Sequence, residues 1–195
     1  NQFTVGTSAD FGRVTFSSDS YQASLVGHET VTDPGQVSAG FVRLKTENDY
    51  YGLYATDTFS FNEQLHMTLA GRYNVANIRL SGMSNDPTQP DSDLSGNHRY
   101  SRFNPAVGLN FTPTKDLTVY GSYNEGNRAP TSMELGCANP AVPCKLPNAM
   151  AGDPPLKQVV VKTFEAGLRG NLTDDVRWSA AVYRSENYDD IHFIA

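Results

Sequence analysis

The connections along this chain alternate strictly between short and long. Tight polar turns sit at residues 61–64, 113–116 and 173–175, whereas long links run over residues 17–40, 81–98 and 127–157. The segments between them alternate apolar and polar side chains with a period of two, the pattern of a strand with one apolar face. The clearest covers residues 65–77, where Leu65, Met67, Leu69, Tyr73 and Val75 interleave with His66, Thr68, Ala70, Arg72 and Asn74. Phe103, Val107, Leu109 and Phe111 repeat it against Arg102, Asn104, Asn110 and Thr112, and Pro105 favours a bulged or edge-like place near that strand's end. Further copies run through Leu117, Val119 and Tyr123, through Phe164, Ala166, Leu168 and Leu172, and through Val176, Trp178, Ala180 and Val182. A strand through Phe3, Val5, Ala9 and Phe11 and a less regular one over residues 50–59 bring the count to seven.

A soluble β-sandwich has no reason to trim every second connection while the others reach 18 residues (81–98) to 31 residues (127–157). A transmembrane β-barrel does, because its periplasmic turns are short and its extracellular loops long. The expected fold is therefore all-β, an antiparallel transmembrane barrel wall. Its short turns would face the periplasm. A hydrophobic content of 38% does not argue against this, since strands that alternate between lipid and lumen average to the hydropathy of a soluble protein. No stretch approaches the roughly 18 to 20 apolar residues that a membrane helix needs. Arg72, Arg102, Glu165, Arg169 and Arg177 on the polar face imply a wide, filled or wet lumen. Seven strands cannot close such a barrel, and unpaired strand edges are not tolerated in lipid. Residues 1–195 are thus expected to be one partial barrel domain: the chain starts at Asn1 with no basic or apolar leader and stops at Phe193, Ile194 and Ala195 within an apolar run.

The balance of 15 basic against 21 acidic residues, with no basic stripe, excludes a nucleic-acid partner. Cys137 and Cys144, with Pro140 and Pro143 beside them, suit a disulfide that staples an exposed loop in an oxidising compartment. A metal pair is the weaker option, because no histidine or third cysteine lies nearby.

The third long connection begins Asn127-Arg128-Ala129-Pro130-Thr131-Ser132-Met133-Glu134-Leu135. It resembles the Arg-Ala-Pro, Glu-Leu signature that opens an extracellular loop in TonB-dependent receptors. The preceding hairpin, from Tyr100 through Pro105 to Leu117 and Tyr123, is similar to the strand pair that leads to the signature. So are the return strand at Thr163-Phe164-Glu165-Ala166-Gly167-Leu168-Arg169 and an earlier hairpin from Tyr50 to Tyr73. The resemblance spans roughly residues 48 to 193. It implies about seven strands of a 22-stranded outer-membrane barrel in Gram-negative cells, plugged by an N-terminal domain carrying the motif read by TonB, neither of which these residues contain. It further implies active import of a scarce nutrient, with ferric siderophores foremost. The expected partners are the plug domain of the same full-length chain, TonB, the nutrient and outer-membrane lipid. A passive porin and a soluble β-rich binding module are the alternatives.

Within the signature, Arg128, Ala129, Pro130, Glu134 and Leu135 are expected to shape the loop. Pro130 turns the chain out of the strand, and Arg128 and Glu134 are placed to pair across the loop base. Arg72, Glu165 and Arg169 share the lumen-facing parity and are candidates to face the plug. Tyr73, Tyr120, Tyr123 and Trp178 are candidates for the interfacial girdle, Trp178 for the periplasmic one. A haem receptor of this family would place a histidine after the signature, and none occurs between Thr131 and Asp153. His28 and His98 in the long connections read as solvated, as do Asp86, Asp91 and Asp93. Nothing nominates a catalytic residue, a metal site or a cofactor: His28, His66, His98 and His192 lie apart, without a nucleophile motif.

Overall fold

The computed structural model describes residues 1–32, 35, 38–86, 89–136, 156–173 and 175–191. The elements in chain order are β1 (Gln2–Tyr21), β2 (Ala23–Val26), β3 (Glu29–Thr32), β4 (Ser38–Ser60), β5 (Leu65–Asp86), β6 (Gln89–Asp93), β7 (Gly96–Thr114), β8 (Leu117–Arg128), α1 (Ser132–Gly136), β9 (Val159–Asn171) and β10 (Arg177–Tyr188). Seven of these strands form one antiparallel sheet in the order β1-β4-β5-β7-β8-β9-β10, each beside its sequence neighbour among the long strands. All three tight turns join neighbouring long strands, β4 to β5, β7 to β8 and β9 to β10. Within the described residues the sheet does not close on itself, and β1 and β10 are its edges.

The long connections differ from expectation in one respect: much of the first and of the second is strand. β1, β4, β5 and β7 run 20, 23, 22 and 19 residues, about twice the 9–11 that cross a bilayer. The first connection also carries the separate hairpin β2–β3, and the second folds back as β6 against the end of β5.

The cause lies in the face pattern of β5. Its odd-numbered residues Leu65, Met67, Leu69, Tyr73 and Val75 share one face, which then turns polar at Asn77 and Arg79. The even-numbered face carries Thr68, Arg72 and Asn74, then turns apolar at Ala76, Ile78 and Leu80. The same exchange occurs on β4, where Tyr51 and Leu53 give way to Asp49, Glu47, Lys45 and Arg43 on one face while Thr46, Leu44 and Val42 are buried on the other. Apolar periodicity read along a single face therefore ends at residue 77 although the strand continues.

The two faces meet different surroundings. One is bare, and its apolar side chains stand in the open: Phe11 is 70% exposed, Phe103 57%, Phe164 55% and Leu53 54%. The other is covered at its far end, where Leu44, Ile78, Leu80 and Leu135 form a buried cluster flanked by Phe16, Leu94, Tyr100, Ala129 and Leu156. Ile78 is fully enclosed, and burial of such a side chain stabilises by roughly 1.5–3 kcal/mol. A bare face this apolar, some ten residues tall on each strand, matches the lipid-facing band of a membrane barrel.

Pro105 lies in mid-strand rather than at a strand end, paired with Gly71 on β5. The β7–β8 ladder lapses beside it, ending at the Ala106↔Asn124 pair. Proline has no N–H to give such a ladder. Beyond that point Glu125 and Asn127, which by alternation would share the face of Tyr123, bond instead to covered-face residues, Glu125 to Arg102 and Asn127 to Asn74 and Asn104.

Candidate functional site

The turn after β8 is built from four local interactions. Thr131 Oγ1 accepts the Glu134 N–H at 3.2 Å, and the Thr131 N–H donates to Glu134 Oε2 at 2.6 Å. This reciprocal pair is a capping box, which satisfies two otherwise orphaned donors at the start of α1. Arg128 Nη1 donates to the same Glu134 Oε2 at 2.9 Å, and its Nη2 lies 3.4 Å from Oε1. Burial pushes the Glu134 carboxyl upward, but the Arg128 and Thr131 bonds outweigh it and hold the carboxyl below the usual carboxylate range. Pro130 is fully buried, and Leu135 joins the cluster of Leu44, Ile78 and Leu80. Ser132 Oγ then reaches Asn48 Oδ1 of β4 at 3.0 Å. The turn is thus folded against the covered face rather than projected away from it.

Beside this turn a chain of polar side chains crosses the covered face. Arg72 donates to Ser8 Oγ of β1 at 2.7 Å and to Asn74 Oδ1 at 2.6 Å. Asn74 and Asn104 both donate to Asn127 Oδ1, at 3.0 and 2.6 Å, and Asn127 donates to Gln158 Oε1 at 3.0 Å. Gln158 ends the chain on the Ser101 carbonyl at 3.2 Å. Glycine at residue 52 leaves room for this bond: a Cβ there would crowd the Arg72 guanidinium and the Ser8 hydroxyl, and the guanidinium would have to shift. The chain ties β1, β5, β7 and β8 to the entry of β9.

A cavity of about 410 Å3 opens between this chain and the turn, with Asp10, Tyr50, Arg72, Tyr100, Asn127 and Arg128 in its wall. Tyr100 is fixed by its hydroxyl, which donates to the Leu156 carbonyl at 3.0 Å. Arg128 is neutralised by Glu134. Arg72, in contrast, is held by a hydroxyl and an amide and forms no ion pair among the described residues. The cavity therefore offers one guanidinium without an ion pair among the described residues, one carboxylate, three phenols and two amides, a set that can hydrogen-bond an oxygen-rich small molecule carrying both acceptors and donors.

Of the other expected positions, Glu165 and Arg169 lie on β9, on the same face as Tyr120. Tyr120 donates to Glu165 at 3.1 Å, and the Arg169 guanidinium sits 5.7 Å from its ring centre. No bond joins them to Arg72 on β5 among the described residues. Tyr120 is therefore turned away from the bare face and departs from the girdle expectation, whereas Tyr73 and Trp178 are on the bare face and Tyr123 packs 4.6 Å from the Phe164 ring there. Cys137, Cys144 and His192 lie outside the described residues. His28 occupies the β2–β3 turn, His66 bonds Ser60, and His98 on β7 is half-buried, its pKa lowered by that burial.

Periodicity alone did not nominate Ser8, Asp10, Tyr50, Tyr100, Asn127 or Gln158. For Ser8, Asp10, Tyr50 and Tyr100 the signal within reach was parity, since the even-numbered residues of the paired strands continue the face of Arg72 and Asn74 across the sheet, whereas Asn127 departs from alternation and Gln158 precedes β9.

The chain matches the family of TonB dependent receptor-like β-barrels over residues 1–194. Among solved structures it is similar to the ferric yersiniabactin uptake receptor FyuA from Yersinia pestis. The TM-score is 0.64 at 14% sequence identity, over 94% of this chain and 26% of that one. The chain thus spans about a quarter of that receptor's length. No curated protein matches it in sequence. The bare apolar band, the short-turn rim and the folded-in signature turn are accounted for together, and the chain belongs to the TonB-dependent receptor-like β-barrel family.

Proposed function

We propose that this chain forms part of the wall of an outer-membrane importer that takes up a scarce anionic chelate, a ferric siderophore foremost, in a TonB-dependent cycle. One observation carries the ligand side of this: Arg72, which forms no ion pair among the described residues, faces a cavity shared with Tyr50, Tyr51 and Tyr100, with Asp10 the one carboxylate in its wall. The similarity to a ferric yersiniabactin uptake receptor supports the ligand class. The lumen-facing parity of Arg72, Glu165 and Arg169 supports their meeting a plug domain of the full-length protein. Cys137 and Cys144 would brace the signature loop as a disulfide.

The test uses the full-length receptor as the sole siderophore receptor of an iron-limited Gram-negative strain. Uptake of radiolabelled ferric siderophore is expected to stop when TonB is deleted. Loss of a charge-assisted contact in Arg72→Ala should weaken ligand affinity roughly tenfold with surface expression intact. Uptake that continues without TonB would favour a passive pore. Unchanged ligand affinity in the variant would remove Arg72 from the site.

A further inference from the structure

A carboxylate stands on the bare apolar face where no side chain of the sheet pairs with it. The register of β4 carries Leu53, Ala55, Asp57 and Phe59 on that face, and places Asp57 level with Phe3 on β1 and Leu69 on β5. Both neighbours are open and apolar, Phe3 67% and Leu69 42% exposed. Asp57 Oδ1 is enclosed yet has no hydrogen-bond partner, and no ion pair reaches the carboxylate among the described residues. Thr58, the next residue, points to the other face and is satisfied there by Thr68 at 3.1 Å.

β4 is an interior strand, paired along its length with β1 and β5, so what lies before Asp57 is the medium around the wall and not a sheet edge awaiting a strand. A carboxylate is costly in an apolar band, and one that persists there marks a partner that supplies donors. Its depth narrows that partner. Asp57 lies three positions before Ser60, where β4 ends and the turn of residues 61–64 begins. Three residues span about 10 Å along a strand, or roughly 7–8 Å of depth at a barrel strand's tilt of roughly 35–45°. That is the level at which headgroups and acyl chains meet in the leaflet on the short-turn side.

From the unpaired carboxylate, its interior place in the sheet and its depth, we propose that Asp57 binds the primary ammonium of a lipid headgroup, as in phosphatidylethanolamine, in the leaflet on the short-turn side. The inference rests on the membrane-wall assignment. The acyl chains lie along Phe3 and Leu69, and the three N–H donors of the ammonium meet the carboxylate in a charge-assisted pair. Rotation about the last side-chain bond exchanges the two carboxylate oxygens, so a donor arriving from the open side also relieves Oδ1. A trimethylated headgroup carries the same charge without an N–H, so hydrogen bonding separates the two lipids. A lysine of a second membrane protein offers the same donors, but the rows on either side of Asp57 are those that meet acyl chains, and lipid lies there without further assembly. An aspartate that merely reaches headgroup water would show no preference between headgroups.

The experiment takes the full-length receptor in phosphatidylcholine nanodiscs and titrates in phosphatidylethanolamine of the same acyl chains, or its mono- and dimethylated forms, with retained lipid read by native mass spectrometry. Heat-dependent gel mobility first establishes that the wild-type receptor is a membrane-inserted barrel. Failure there rejects the membrane-wall assignment itself. Given insertion, phosphatidylethanolamine should be retained with about tenfold preference over phosphatidylcholine, and the preference should fall as each N–H is replaced. Asp57→Asn should abolish it and Asp57→Glu should keep it. Equal retention of the two lipids by the wild type, or an undiminished preference in Asp57→Asn, overturns the proposal. If Asp57→Asn does not insert, the methylated series on the wild type decides it, and retention that ignores the number of N–H donors overturns it. A photo-crosslinker at Ala55 that captures a protein rather than lipid in the intact outer membrane overturns it as well.

Discussion

Glu134 holds the turn in three ways: its carboxylate receives Arg128 and accepts the Thr131 N–H, and its backbone N–H donates to the Thr131 hydroxyl. Because its folded pKa lies below the ordinary carboxylate value, the clamp's stabilisation is fully present above that ordinary value, about 4.3. It is lost as pH falls through the lower folded value. Hydrogen-exchange protection of residues 131–136 in the full-length receptor should therefore exceed that of Glu134→Gln at pH 7, and the difference should vanish well below pH 4. A difference that persists there would show that the carboxylate's charge does not hold the turn. The spacing Thr131-x-x-Glu134 is a capping box legible in sequence, as is the approach of Arg128 to Glu134. What local spacing does not reveal is that Leu135 is buried, because its neighbours Leu44, Ile78 and Leu80 come from strands more than fifty positions earlier.

At the scale of the strand, β5 presents lipid and solvent with one face in succession. Leu69 and Asn77 are both on that face, eight positions apart. Leu69→Arg is expected to cost about 2–4 kcal/mol, the depth-dependent cost of a cation in the lipid band, and Asn77→Arg close to nothing. Ile78→Ala, one residue on and on the covered face, should cost about 2–5 kcal/mol through the cavity it leaves. Urea titration of refolding into vesicles measures all three, and equal costs for the two arginines would move the membrane boundary. The seven strands, their order and the three tight turns were readable because each obeys one local rule, alternation or a polar turn. Strand lengths were not. The apolar phase shifts from odd to even positions near residue 76, and a reader following one face sees a strand end where a strand continues. The Tyr120 side chain escaped for a related reason: an aromatic fits an interfacial girdle or an inward bond to Glu165 equally well, and only cross-strand register separates the two.

For the molecule as a whole, the exposed apolar face and the two open edges predict behaviour in water. Residues 1–195 expressed alone should aggregate or require detergent, because a wide bare face and unpaired strand edges both recruit partners. A monodisperse, water-soluble monomer in sedimentation would contradict the membrane wall. Family membership was legible from the signature and its flanking strands, since those residues form a self-contained turn. The substrate was not, because the cavity draws on β1, β4, β5, β7 and β8 together. The exchange of apolar character between faces also acts as a depth gauge. In an ordinary two-faced strand, sliding by one residue swaps the faces, and sliding by two restores them at another height. Here a slip of one would put Arg79 into the packed cluster and Ile78 among the charges. A slip of two in one direction would carry Asn77 into the lipid band and Ala76 into the polar chain, and in the other direction Val75 among the charges and Asn74 into the apolar cluster. One sequence pattern therefore specifies both which strand positions pair and how far the wall sinks into the bilayer.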